Sequence, residues 1–433
     1  MTQQKQNGNI VAIVAMCFLF AMISFVTNLA APIGTIWKGQ FGDSGILGML
    51  GNFMNFLAYL FMGIPAGKML EKIGYKKTAL TAMAVGFVGL FVQYLSGLVG
   101  GSVTTGFCVY LLGAFICGFC VCMLNTVVNP MLNLLGGGGN RGNQLVQIGG
   151  SLNSLSGTLT PLFVGALIGA ITSSTSIADV NPLLFIAMGI FVVAFLIIYM
   201  VQIPEPHIKK GKDAVATKAP HSPWSFRHFV LGVIAIFIYV GVEVGIPGTM
   251  IFYLADPATG LGEGAASVAG AIAAMYWLLM LVGRTISSFI SGKVSSRTQL
   301  IVASVVGIAL VVLAIFMPDT IKVSMPGYAE GSFMLKEVPV SAMFLVLCGL
   351  CTSVMWGGIF NLAVEGLGKY TAQASGIFMM MVVGGGVLPL IQNGIADVTT
   401  YMTSYWLVAV CLGYMLYYAL IGCKNVNKDI PVE

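Results

Sequence analysis

Twelve apolar stretches of about twenty residues or more follow one another along this chain, and they leave very few folds open. They fall near 9–36, 45–70, 78–99, 104–135, 143–172, 181–203, 228–254, 266–291, 299–317, 340–365, 371–397 and 402–423. A run of that length spans the hydrocarbon core of a bilayer as a helix. The runs are continuously apolar and do not alternate, so they are not the strands of a membrane barrel. Composition agrees: 58% of residues are hydrophobic and 8% charged, where a water-soluble domain carries roughly a quarter charged. The expected fold class is an all-α polytopic membrane protein of twelve transmembrane helices.

Between the sixth and seventh runs lies PEPHIKKGKDAVATKAPHSPWSFRH, polar, lysine-rich and holding all three histidines. It divides the chain into a six-helix half at 1–203, a linker at 204–227 and a second six-helix half at 228–433. Alternating the loops across a membrane puts sixteen of the twenty basic residues on one side. Lys38, Lys322 and Lys336 fall on the other, with Arg284 inside the eighth run. That bias makes the basic side cytoplasmic, with both termini there and the protein multi-pass in the cytoplasmic (inner) membrane. The start, MTQQKQNGN, shows no cleavage site, so the first helix is read as retained. A weak internal repeat supports two related halves: GTLTPLF (157–163) echoes GGVLPLI (385–391), and SGKVSSR (291–297) is a worn copy of the loop GKMLEKIGYKK (67–77).

The net charge of +5 is spread over many short loops, so it reads as topology and not as a nucleic-acid surface. Cys117, Cys120 and Cys122 lie in an apolar run without histidine, as small apolar filler and not a metal site. GGGGN at 136–140 lacks the Lys-Ser/Thr of a phosphate loop and reads as a turn. With no nucleophile–base pair, no acid pair, and no histidine within a run, nothing suggests an enzyme or a cofactor. The lipid bilayer is the expected environment, and the chain is expected to act as a monomer.

Charges inside a bilayer cost roughly 3 kcal/mol or more, so an intramembrane ionisable group is a functional candidate. Two stand out: Glu243, in IYVGVEVGIPG, and Arg284, in LVGRTISS. They form either a proton-coupling acid with its charge partner or a purely architectural pair. Amides are more plentiful: Asn28, Asn52, Asn55, Asn125, Asn129, Gln147 and Asn153 in the first half, Asn361, Gln392 and Asn393 in the second. Tyr276, Trp277 and Trp356 add aromatic faces. Amides that donate and accept, beside flat rings, suit a neutral polyol such as a sugar, although any one asparagine can equally join two helices.

GKMLEKIGYKK resembles the loop between helices 2 and 3 of major facilitator transporters, with Glu71 where an aspartate is usual. The resemblance implies that Gly67, Glu71, Lys72 and Gly74, with Arg141, form a cytoplasmic gate seating helix 2 against helix 11. In the second half, IFIYVGVEVGIPG (236–248), YWLLMLVGR (276–284) and the stretch 359–397 look like the fucose–galactose–glucose:proton symporter family. AYLFMGIPAGKMLEKIGYKK, NTVVNP and NSLSGTLTPLF extend the likeness over nearly the whole chain. It implies two parallel six-helix halves of a major facilitator fold around a midplane site, with sugar and proton as substrates. The chain departs from the family where its Asn-Asp pair in span 1 is usual, having Ala30 and Ala31, and has Asn125 where a glutamate is usual in span 4. Of the acids, this leaves Glu243 to carry a proton. A facilitative uniporter, or an exporter of a non-sugar molecule, is the alternative.

The topology is tested by labelling: Lys212→Cys should react only with reagents admitted to the cytoplasm, and Gly327→Cys only with external, membrane-impermeant ones. Reversed labelling would overturn the twelve-span arrangement.

Overall fold

The computed structural model of the chain describes residues 2–99, 102–136, 139–168, 175–205, 221–262, 264–290, 293–329, 332–367, 370–427 and 429–431. Eleven helices among them are long and apolar enough to cross a membrane. We number these with the twelfth as spans: 1 (Ile10–Gln40), 2 (Gly45–Leu70), 3 (Lys72–Ser96), 4 (Val103–Leu132), 6 (Ile177–Met200), 7 (Arg227–Ala255), 8 (Ala265–Ser287), 9 (Ser296–Phe316), 10 (Val340–Val364), 11 (Gly376–Val398) and 12 (Tyr401–Gly422). Span 5 (Gly139–Ile168) has 30 residues, long enough to span, but carries Asn, Gln, Ser and Gly along much of its length. It packs against span 1 and span 8, with Ile148, Leu155 and Leu159 exposed.

Local chemistry sets where several spans begin. Ser44, Ser102, Ser295 and Thr400 each cap a helix start, their side chains accepting from Leu47, Thr105, Thr298 and Thr403 N–H groups. Burial then separates inner from outer helices. Of the apolar windows, 33% of span 9 and 39% of span 6 is buried, against 61% of spans 4, 7 and 8. Spans 6 and 9 therefore sit at the periphery, with Val193, Leu196, Val302 and Val305 pointing outward to lipid.

The bundle has a basic end, carrying Lys68, Lys72, Lys76, Lys77, Arg227, Lys293, Arg297 and Lys424, and a far end with the span 1–2, 9–10 and 11–12 connections. The two halves repeat one device at the basic end. Lys76 Nζ donates to the Tyr199 and Val201 carbonyls at the end of span 6, at 2.7 and 2.9 Å. Arg297 donates to the Ala419 and Leu420 carbonyls at the end of span 12, both at 2.8 Å. Each cation, just inside the third helix of its half, satisfies carbonyls that the end of the sixth helix leaves without donors.

Spans 2 and 3 are joined without a loop, and the helix is interrupted near the start of span 3 at Gly74, which takes φ 83°. The Glu205 carboxylate accepts from the Tyr75 and Lys76 N–H groups, both at 2.8 Å, capping span 3 from the segment after span 6. A Cβ on Gly74 would run into that carboxylate. Sequence reading assigned Glu205 to the linker; its role depends on a contact 130 residues away.

One element was not foreseen. Strands β1 (Lys322–Ala329) and β2 (Ser332–Pro339) pair antiparallel between spans 9 and 10, with Tyr328 opposite Phe333 and their rings 5.0 Å apart. Met325 is buried, and β1 packs on span 8 and reaches span 5 at the far end. The hairpin sits outside the apolar windows, within which spans 10 and 11 are each interrupted by a two-residue turn, at 353–354 and 382–383.

Gly74→Ala should lower the thermal stability of the purified protein, because a side chain at positive φ costs about 1–2 kcal/mol before its collision with Glu205 is counted. Glu205→Gln should give a smaller loss. A melting curve of Gly74→Ala that overlays wild type would contradict this account.

Candidate functional site

The site grows from one cation. Arg284, on span 8, lies in the apolar interior, where an unpaired guanidinium costs several kcal/mol. Both of its terminal nitrogens are engaged. Nη2 is 3.3 Å from Glu243 Oε1 on span 7, both side chains 13% exposed. Nη1 donates to the Gly150 carbonyl at 2.7 Å and to Ser154 Oγ at 2.9 Å, both on span 5. The pair foreseen in the sequence is therefore formed, and its cation also reaches into the other half. Glu243 is the only partner of Arg284 among the described acidic residues.

Span 7 runs as one helix, Arg227–Ala255, through Gly245, Pro247 and Gly248. Gly245, Pro247 and Gly248 do not interrupt it. Pro247 still lacks an N–H, so the Glu243 carbonyl four residues earlier has no helical donor. The polar atoms of the second half gather around this point. The Tyr239 hydroxyl is buried beside Glu243, and Tyr276 lies near the same carboxylate. Tyr276 bonds Thr352 at 2.8 Å, Trp277 meets the Tyr276 ring edge-on at 5.5 Å, and Trp356 lies 6.2 Å from the Tyr239 ring. Trp277 also packs on Gly157 of span 5, where an added Cβ would sit 3.1 Å from the indole. Arg284 and Trp277 thus both meet span 5, along the boundary between halves.

The amides divide by what they hold. Asn125 Nδ2 donates to Tyr59 at 2.7 Å and Asn153 Nδ2 to the Phe20 carbonyl at 2.9 Å, each joining two helices of the first half. Asn28 bonds Ser24 and Asn129 bonds the Asn125 carbonyl, within their own helices. Asn52 crosses between halves, donating to the Gly385 carbonyl of span 11 at 2.9 Å. Asn55 is buried with its Oδ1 unpartnered, at a small cavity lined by Gln93 and Tyr110 inside the first half. Gln392 and Asn393 are buried on span 11; Asn393 donates to Thr249 Oγ1 at 3.0 Å, while Gln392 Nε2 and Asn393 Oδ1 have no partner. Asn361 is exposed at the basic end of span 10, away from the other amides.

Several expected gate residues behave differently. A Cβ on Gly67 would meet nothing within 4 Å, so Gly67 is not a close-approach point; spans 2 and 11 meet instead where Gly63 faces Met380. Lys72 is exposed and Gly74 is held by Glu205. The side chains of Glu71, Arg141 and Gln147 lie outside the described residues. One exclusion needs correcting: His228 is in the first turn of span 7, fully buried, with Nε2 2.9 Å from the Glu365 carbonyl. It sits fifteen positions from Glu243, about 22 Å along the helix, too far to pass a proton to it directly.

Sequence reading missed Ser154, Gly150, Tyr239 and Glu205. Ser154 is one of several serines in NSLSG, and nothing in its spacing separates it from the others. Tyr239 lies four residues before Glu243, hence on the same helical face, and that spacing could have found it.

The sequence profile of the Major Facilitator Superfamily matches residues 13–389. A glucose/galactose transporter of Brucella abortus is 31% identical over 98% of this chain and 96% of its own. The L-fucose-proton symporter of Escherichia coli is 21% identical, over the same shares of the two chains. Among solved structures, the E. coli fucose:proton symporter superposes with a TM-score of 0.66 at 18% identity, covering 95% of this chain and 98% of its own. A D-xylose-proton symporter gives 0.67 at 11% identity, covering 97% and 98%. At those identities the structures speak for the fold alone. The chain is a multi-pass membrane transporter, not an enzyme, and belongs to the major facilitator superfamily, in the group of the glucose/galactose transporters and the fucose symporter.

Proposed function

We propose that the protein imports a monosaccharide or a related neutral polar solute by proton symport, its two halves rocking about a site at their interface. The observation that carries the reading is Arg284, bonded at once to Glu243 of its own half and to Gly150 and Ser154 of the other. Transport by rocking needs a group whose partners differ between states, and this one spans the moving boundary. Relatives named for glucose, galactose and fucose support the sugar.

In this mechanism Glu243, as carboxylate, neutralises Arg284 and keeps it directed at span 7. A proton arriving on Glu243 removes that counter-charge, leaving the guanidinium to Gly150, Ser154 and the hydroxyl oxygens of a bound solute. Solute and proton are then favoured together, because each fills what the other leaves open. Tyr239, Trp277 and Trp356 supply flat faces and a hydroxyl on the same side. The basic end faces the cytoplasm in this reading, in a bacterial inner membrane, with both termini inside. No metal or cofactor is required, and the protein works as a monomer.

The second reading, a uniporter or an exporter of another small molecule, is favoured by one feature: Ala31 and Asn125 stand where the family resemblance leads one to expect acids. Proteoliposomes separate the two. Glu243→Gln, which mimics the protonated acid, should keep solute exchange but lose accumulation driven by a pH gradient. Uphill uptake in that variant would remove Glu243 from coupling, and wild type without pH-driven uptake would favour the uniporter. A screen of monosaccharides, amino sugars and nucleosides identifies the solute.

Trp277→Ala should raise KM for that solute by about three- to tenfold, the worth of one aromatic contact, with Trp277→Phe closer to wild type. An unchanged KM in Trp277→Ala would place the ring outside the solute site.

A further inference from the structure

At the far end of the bundle, the two halves are held by a contact that the sequence hides. Asp397 ends span 11, and its carboxylate lies on the first turn of span 2, in the other half. Oδ1 accepts from the Gly45 N–H at 2.6 Å, and Oδ2 accepts from the Ile46 N–H at 3.0 Å and from Ser44 Oγ at 3.1 Å. The first N–H groups of a helix have no partners within it and carry the positive end of its dipole. An acid there is an ordinary cap; what is unusual is that it comes from the opposite half.

The surroundings join the same two halves at the same end. One turn before Asp397, the Asn393 side chain lies against Gly45 of span 2, 3.3 Å from where a Cβ there would stand. Lys38, at the end of span 1 and only 7% exposed, puts its ammonium 5.3 Å from the Tyr401 ring and 5.9 Å from the Phe252 ring, both in the second half. Gly34 and Gly48 let spans 1 and 2 approach until a Cβ on either would strike the other's backbone, and the Phe252 ring fills the space beside them. Met49 of span 2 is fully buried, with its methyl 3.3 Å from where a Cβ on Gly248 of span 7 would stand. This end is therefore shut.

We propose that Asp397 is the latch of the far-end gate, a positioning residue that holds this end closed by capping span 2 across the boundary and releases it each time the end opens. Asp397 is exposed, so when span 2 moves away with its half the carboxylate and its three donors exchange their bonds for water. That exchange makes the contact reversible, unlike a buried ion pair left without its partner. Asp397 touches neither Glu243 nor Arg284, so the inference stands apart from the solute and the coupling ion.

The test reads accessibility, not transport. In a Cys108→Ser background, Met49→Cys reports opening of the far end through its rate of reaction with a membrane-impermeant maleimide added on that side. Adding Asp397→Asn should raise that rate by about three- to tenfold, the effect of losing one or more net hydrogen bonds from the closed state. Ser44→Ala should raise it less, and Asp397→Glu should fall nearer to wild type. A lower melting temperature with an unchanged labelling rate would reduce Asp397 to a plain helix cap and overturn the proposal. As an independent measurement, Ser44→Cys with Asp397→Cys should cross-link under oxidation and stop solute exchange, with reductant restoring it. Exchange that continues through the cross-linked protein would overturn the proposal as well.

Discussion

A guanidinium in an apolar bundle dictates the arrangement of everything near it. Arg284 cannot remain in the membrane interior without acceptors, and no single helix supplies enough of them. It takes a carboxylate from span 7, a backbone carbonyl and a hydroxyl from span 5. The consequence is mechanical. One side chain rooted in the second half is bonded to the first, at the boundary where a major facilitator transporter has to move. An aromatic ring lies on the same boundary, Trp277 on Gly157, and Trp356 stands beside Tyr239 within the second half.

Helix ends form the second layer of organisation. Within each half, a cation at the start of the third helix closes the end of the sixth, Lys76 on span 6 and Arg297 on span 12. Glu205 closes the start of span 3 from the same segment. These contacts bind each half into a unit. Asp397 uses the same chemistry between units, on the start of span 2. Permanent and reversible contacts thus differ by which side of the boundary their partners come from, not by their type. A membrane protein favours such contacts, because uncapped backbone at a helix end is costly wherever water is scarce.

The sequence by itself determined the number of spans, their order, the division into halves and the presence of one acid and one cation in the interior. It could do so because bilayer thickness imposes a length on every apolar run, and because charge within such a run is rare enough to be noticed. Even span 5, with its Asn, Gln, Ser and Gly residues, was found as an apolar run between turns. The pairing of Glu243 with Arg284 was legible for the same reason: few charges leave few partners. Tertiary structure alone decided the rest. Asn125 and Asn153 became joints between helices, Asn52 a tie between halves and Asn361 an exposed residue, though all four read alike as amides in apolar runs. Ser154, Glu205 and Asp397 acquired their roles from partners more than 120 positions away. Hydropathy records which residues avoid water, but a hydrogen bond depends on direction and distance, and those exist only once the helices have packed.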